Sequence, residues 1–137
     1  MLLLYLALSF SGVNATDDIV VVVNHSNDVS SLSKKEVIDI YMGRYLSFPN
    51  GASASPIDFP TRSVTKQQFY LLLVNQNEQE IKSYWSRLLF SGRAKPPTEA
   101  DSAAGAIKLV EQKADAIAYI PRDKVTSEMK IVFQFKP

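Results

Sequence analysis

The segment Pro60-Thr61-Arg62-Ser63-Val64-Thr65-Lys66-Gln67-Gln68-Phe69 sets three hydroxyls and an arginine immediately ahead of an apolar run. Hydroxyls at the entry to a helix have two uses. They cap the unpaired N–H groups of the first turn, or they join those groups in holding an oxyanion, because that turn also carries partial positive charge. Two other helix starts offer similar donors: Ser26 within its polar loop, and Ser102 at the head of a later helix. The candidate oxyanion set is therefore Thr61, Arg62, Ser63, Thr65, Ser26 and Ser102. Capping alone also accounts for the central cluster. Thr65 and Gln68 fit a T-x-x-Q capping box, with Val64 and Phe69 at its staple positions.

Other chemistries find no matching pattern. The sequence has no nucleophile elbow, no H-E-x-x-H, no Walker-type loop and no G-x-G-x-x-G. Asp17, Asp18, Asp39 and Asp58 are scattered, and no spacing selects a catalytic pair. With no cysteine and the single histidine His25, there is neither thiolate chemistry nor a His-rich metal cluster. These readings argue against an enzyme and call for no cofactor. A formal net charge of +1 without a basic stripe argues against nucleic acid as a partner. Tyr84, Trp85, Leu88 and Phe90 could stack a ligand, but at this spacing they read as a core face with Trp85 anchoring a helix.

The elements that must position these groups are readable in turn. At 137 residues the chain is long enough for one domain with a core, and 46% apolar content places it among folded domains. Ile19-Val20-Val21-Val22-Val23 reads as a strand buried on both faces. Ser33 and Glu36 form an S-x-x-E box, with Leu32 and Val37 as the staple, and Gly43 ends that helix. A short strand at Pro56–Phe59 leads into the hydroxyl cluster. A helix carrying Phe69, Leu72 and Leu73 follows, and then a second opened by Asn77 and Glu80 and closed by Gly92. Pro96-Pro97 imposes an extended connection. A helix over about Ser102–Lys113 and strands at 116–120 and 131–135 complete the chain. Strands alternating with helices predict an α/β sandwich around a mixed, mostly parallel sheet. In such a sheet, ligands settle beyond the C-terminal ends of the strands, where the Thr61–Thr65 cluster falls.

Residues 2–10 form a short apolar segment followed by small residues at Val13 and Ala15. That is the pattern of a signal peptide cleaved after Ala15, leaving residues 16–137 as an exported domain. The segment is too short to span a bilayer, so no membrane span is expected after cleavage.

Several blocks together resemble the phosphate-type substrate-binding proteins of ABC transporters. Ser31 to Arg44 is similar to that family's L-S-x-x-E-hydrophobic-x-x-I-F-x-G-K block. Tyr84 to Gly92, with Pro96-Pro97, resembles its Y-W-x-R-x-x-F-T-G block, and Asp115 to Ile120 resembles its G-A-I-G-Y strand. The resemblance implies a single periplasmic-binding-protein-like lobe in the periplasm, binding inorganic phosphate or a similar oxyanion for an ABC-type uptake system. It also implies a helix opening with R-x-x-x-S-G-T, against which Ser63 and Thr65 align as hydroxyl positions and Arg62 as a displaced arginine. Val64 stands at the glycine position, where a side chain crowds the close backbone approach glycine permits. The alternative is a ligand-free structural subunit of an envelope assembly, contacting an envelope protein or forming a homodimer.

Overall fold

The computed structural model describes residues 18–92 and 94–136. The expected leader at residues 1–15 lies outside the described residues. Among the described residues, strands β1 (Ile19–Asn24), β2 (Ser55–Asp58), β3 (Thr98–Glu99), β4 (Ala116–Pro121) and β5 (Met129–Gln134) form one sheet. Four longer helices accompany it: α1 (Lys34–Tyr41), α2 (Val64–Val74), α3 (Glu78–Ser91) and α4 (Ala103–Gln112). The strand order is β3-β2-β4-β1-β5.

β2 pairs in parallel with both β3 and β4, whereas β1 pairs antiparallel with both β4 and β5. Four strands thus point one way and β1 alone points the other, giving the mixed α/β sheet that the element order predicts. β1 is β-branched without a break from Ile19 to Val23, and all six of its residues, Asn24 included, are buried. Residues 116–120 of β4 are equally buried although their side chains alternate in direction, so helices cover the sheet on both faces.

Local signals fix most boundaries. Ser33 and Glu36 exchange both bonds of a capping box, and Asn77 and Glu80 do the same at α3. Gly43 (φ 75°) and Gly92 (φ 67°) take left-handed conformations at or just beyond helix ends. Gly43 has a second constraint, since a Cβ there would approach the Trp85 ring to 2.7 Å. The extended connection after Pro96-Pro97 goes further than expected and becomes the short strand β3.

One boundary differs from its sequence reading. α2 is capped by Ser63, whose hydroxyl accepts the Lys66 amide at 3.3 Å, and Thr65 lies inside the first turn. A turn places the Ser63 amide on the Pro60 carbonyl at 3.0 Å, so the chain is ready to enter the helix two residues earlier than the Thr65–Gln68 box requires. The inward face shifts with it. Phe69, Tyr70 and Leu73 are buried while Leu72 is exposed.

Candidate functional site at the N-terminus of α2

β2 ends at Asp58, and the chain turns through Phe59-Pro60-Thr61-Arg62 into α2, beyond the C-terminal end of the strand. Arg62 adopts the left-handed region at φ 71°, which is uncommon for a side chain of its size. In this turn both exposed backbone donors are engaged by carboxylates. The Thr61 amide and hydroxyl donate to Glu99 Oε1 at 2.7 and 2.9 Å. The Arg62 amide donates to Glu78 Oε1 at 2.8 Å. Glu99 comes from the end of β3 and Glu78 from the first turn of α3, so three elements converge on one helix start.

The electrostatics match the geometry. The Thr61 amide holds the Glu99 carboxyl below the usual carboxylate range, against an opposing effect of burial, with further help from the Thr61 hydroxyl and the Lys66 charge. An oxyanion arriving at this helix start meets two carboxylates on the turn just ahead of it.

Behind the turn lies a polar cluster that sequence spacing does not reveal. Asp58 is buried and accepts the Tyr119 hydroxyl at 2.7 Å and the Tyr70 hydroxyl at 2.9 and 3.1 Å. Lys66, also buried, brings its Nζ to 3.9 Å from Asp58. Burial pushes the Asp58 carboxyl up, while Lys66 and the two tyrosine hydroxyls draw it back only in part. Tyr41, Tyr70 and Tyr119 are pushed well up by burial, and the Asp58 charge adds to this. Phe69 stacks on Tyr119 with centroids 3.8 Å apart, and Tyr41 donates to the Ile57 and Ile117 carbonyls at 3.0 Å. The cluster thus clamps α2 and α1 onto β2 and β4. Its only sequence trace is Lys66 and Tyr70, four residues apart on the inward face of α2.

The remaining candidates separate. Ser102 caps α4 by accepting the Gly105 amide at 2.9 Å, and it stands after β3, at the same end of the sheet as Thr61. The depression around it holds Glu99 and Asp101 beside Lys108, with a volume of about 360 Å³. Ser26 is at the opposite end, because β1 runs against β2 and β4. Its hydroxyl and amide donate to Asn24 Oδ1 at 2.7 and 3.0 Å, closing a local turn. The structure therefore gathers Thr61, Arg62, Ser63, Thr65 and Ser102 at one end and leaves Ser26 apart.

No family model and no curated protein matches the chain. Solved structures do. An ABC-type phosphate transport receptor from Vibrio cholerae superposes with a TM-score of 0.65 at 17% identity, over 84% of this chain and 45% of the receptor. A protein assigned as a phosphate ABC transporter substrate-binding protein from Clostridium perfringens, solved with bound phosphate, gives 0.66 at 18% identity, over 84% and 44%. A possible phosphate binding protein from Planctomyces limnophilus gives 0.61 at 14% identity, over 84% and 40%. The chain thus has the α/β fold of phosphate-transport substrate-binding proteins, spanning less than half the length of each.

Proposed function

We propose that this chain is a binding-protein-like lobe whose oxyanion position is filled from within, and that it serves a cell-envelope assembly through protein contacts. The observation that carries the reading is the pair of carboxylates, Glu99 on Thr61 and Glu78 on Arg62. A phosphate held by these two amides would have to displace both carboxylates and then face their negative charge. Millimolar affinity is worth about 4 kcal/mol, and the two charge-assisted contacts to be broken are of comparable size. The outer face of α2 supports a contact role: Val64, Leu71 and Leu72 are exposed while Phe69, Tyr70 and Leu73 face inward, leaving the helix apolar on both sides.

A second reading, uptake of phosphate or a similar oxyanion with an ABC-type system in the periplasm, draws on the fold neighbours and on the position of Thr61, Ser63 and Ser102 beyond the strand ends. Isothermal titration separates the two. The first reading expects no heat from the native chain at millimolar phosphate or sulfate, and capture of an envelope protein that is lost in V64E/L71E. Micromolar phosphate binding, weakened by Ser63→Ala, supports the second and defeats the first.

A further inference from the structure

Of the six asparagines in the sequence, only Asn50 is followed by glycine. Such a pair is chemically labile, because the peptide nitrogen after an asparagine attacks the side-chain carboxamide when no side chain on the next residue stands in the way. Asn50 and Gly51 lie at the tip of the loop that joins α1 to β2, and residues 49–53 are all exposed. The loop closes through the antiparallel bridge between Ser47 and Ser53. The Phe48 amide adds a bond to the Ala52 carbonyl at 2.7 Å.

The tip holds the two reacting groups together. The Ala52 amide donates to Asn50 Oδ1 at 3.0 Å. This side-chain turn folds the carboxamide back along the Gly51 peptide, and the donated hydrogen draws electron density from the Cγ carbon. Gly51 takes φ 87°, and no atom stands within 4 Å of the place a Cβ would occupy, so the peptide is uncrowded on that side. The opposing contact runs from the Gly51 amide to the Phe48 carbonyl at 2.9 Å, and it must open before the nitrogen attacks. An exposed loop tip opens at little cost. Asn27 supplies the internal comparison. Its Oδ1 accepts the Val29 amide at 2.9 Å in the same kind of turn, but its Nδ2 donates to the Ala114 carbonyl at 3.3 Å and the next residue is Asp28.

We propose that Asn50 is a site of intramolecular deamidation, with Gly51 as the attacking residue and water as the co-reactant. The Gly51 nitrogen gives its proton to solvent base and bonds to Asn50 Cγ. The Cγ–Nδ2 bond breaks, and Nδ2 takes up a proton and departs as ammonia, leaving a five-membered succinimide. Water then opens the ring. Opening at Cγ yields aspartate, and opening at the main-chain carbonyl yields an isoaspartyl link that lengthens the backbone of the tip by one methylene. Either product adds a negative charge to a depression that already holds Asp28 and Asp115, at the end of the sheet where Ser26 lies. This inference stands apart from the α2 contact face and does not depend on the state of the oxyanion position.

The test is incubation of the full chain over several weeks at mildly alkaline and mildly acidic pH, followed by peptide mass mapping. The peptide carrying Asn50 should gain about one mass unit and split into two chromatographic forms, faster at the alkaline pH. It should convert about ten-fold faster than the peptide carrying Asn27. Asn50→Gln should lose the change, because closure then needs a larger ring. Gly51→Ala should slow it about ten-fold, because a side chain crowds the nitrogen. Cooperative melting of both variants confirms that they fold. The proposal is overturned if the native chain keeps its mass or if Asn27 converts as fast as Asn50. It is equally overturned if Asn50→Gln gains the same mass at the same rate, or if conversion occurs only in the urea-unfolded chain.

Discussion

Glu99 accepts two hydrogen bonds from Thr61, the amide at 2.7 Å and the hydroxyl at 2.9 Å, and so fastens the end of β3 to the turn that starts α2. A carboxylate near a helix N-terminus also meets the favourable end of the helix dipole. Glu99→Ala should therefore destabilise the fold by about 1 kcal/mol in urea unfolding. Because the folded Glu99 carboxyl lies below its ordinary value, its contribution is present above the unfolded carboxylate range and is lost as pH falls through the folded value. Glu99→Gln should flatten that acid limb.

E78Q/E99Q removes both negative charges from the amides of Thr61 and Arg62. If these carboxylates are what excludes an oxyanion, the double variant should gain phosphate affinity over the native chain by at least ten-fold in calorimetry, roughly 1.4 kcal/mol. An unchanged titration would place the obstacle elsewhere, with Val64 as the first suspect.

Asp58 predicts the opposite pH dependence. Burial raises its carboxyl in the folded protein, so its contribution is fully present below the unfolded value and declines as pH rises towards the folded one. Asp58→Asn should remove that decline while keeping an acceptor for Tyr70 and Tyr119. Asp58→Ala leaves both hydroxyls and the Lys66 ammonium unpaired, and should cost about 3 kcal/mol or more. Urea midpoints between pH 4 and 8 read both effects.

The cap assignment is tested by comparing two hydroxyls two residues apart. Ser63→Ala removes the acceptor of the Lys66 amide and should lower stability by about 1 kcal/mol. Thr65→Ala, inside the first turn, should change it by less than about 0.5 kcal/mol. Equal losses from the two would contradict the observed cap.

Gly43 and Gly92 share a left-handed φ but not their surroundings. Alanine at Gly92 meets open space and only the backbone penalty, about 1 kcal/mol. Alanine at Gly43 also drives its Cβ to 2.7 Å from the buried Trp85 ring and should lose about 2–3 kcal/mol in all. The melting temperature of G43A should fall clearly below that of G92A.

Helix starts were legible in proportion to how local their causes are. The Ser33–Glu36 and Asn77–Glu80 boxes involve residues three apart, and both form as read. The start of α2 was misplaced by two residues because Ser63 and Thr65 both fit a cap, and the turn closing on Pro60 chose between them. The strand at Thr98–Glu99 was hidden because two residues give no period; its pairing with Ile57 and Asp58 makes it a strand.

By itself, the sequence determined the order of four of the five strands and of the four longer helices, the buried character of Ile19–Val23 and the alternation that requires an α/β sandwich. These follow from periodicity and neighbouring side chains, which act within a turn or two. Only the tertiary structure decided which groups share a site. The reversed direction of β1 carries Ser26 to the far end of the sheet, away from Thr61. Pairing of β2 with β3 carries Glu99 to Thr61, and the α2–α3 turn carries Glu78 to Arg62. Asp58 finds Lys66 and Tyr119 through the same packing. Such partners lie from eight to 61 residues apart along the chain, beyond any helix or strand period, so strand order, direction and helix packing bring them together.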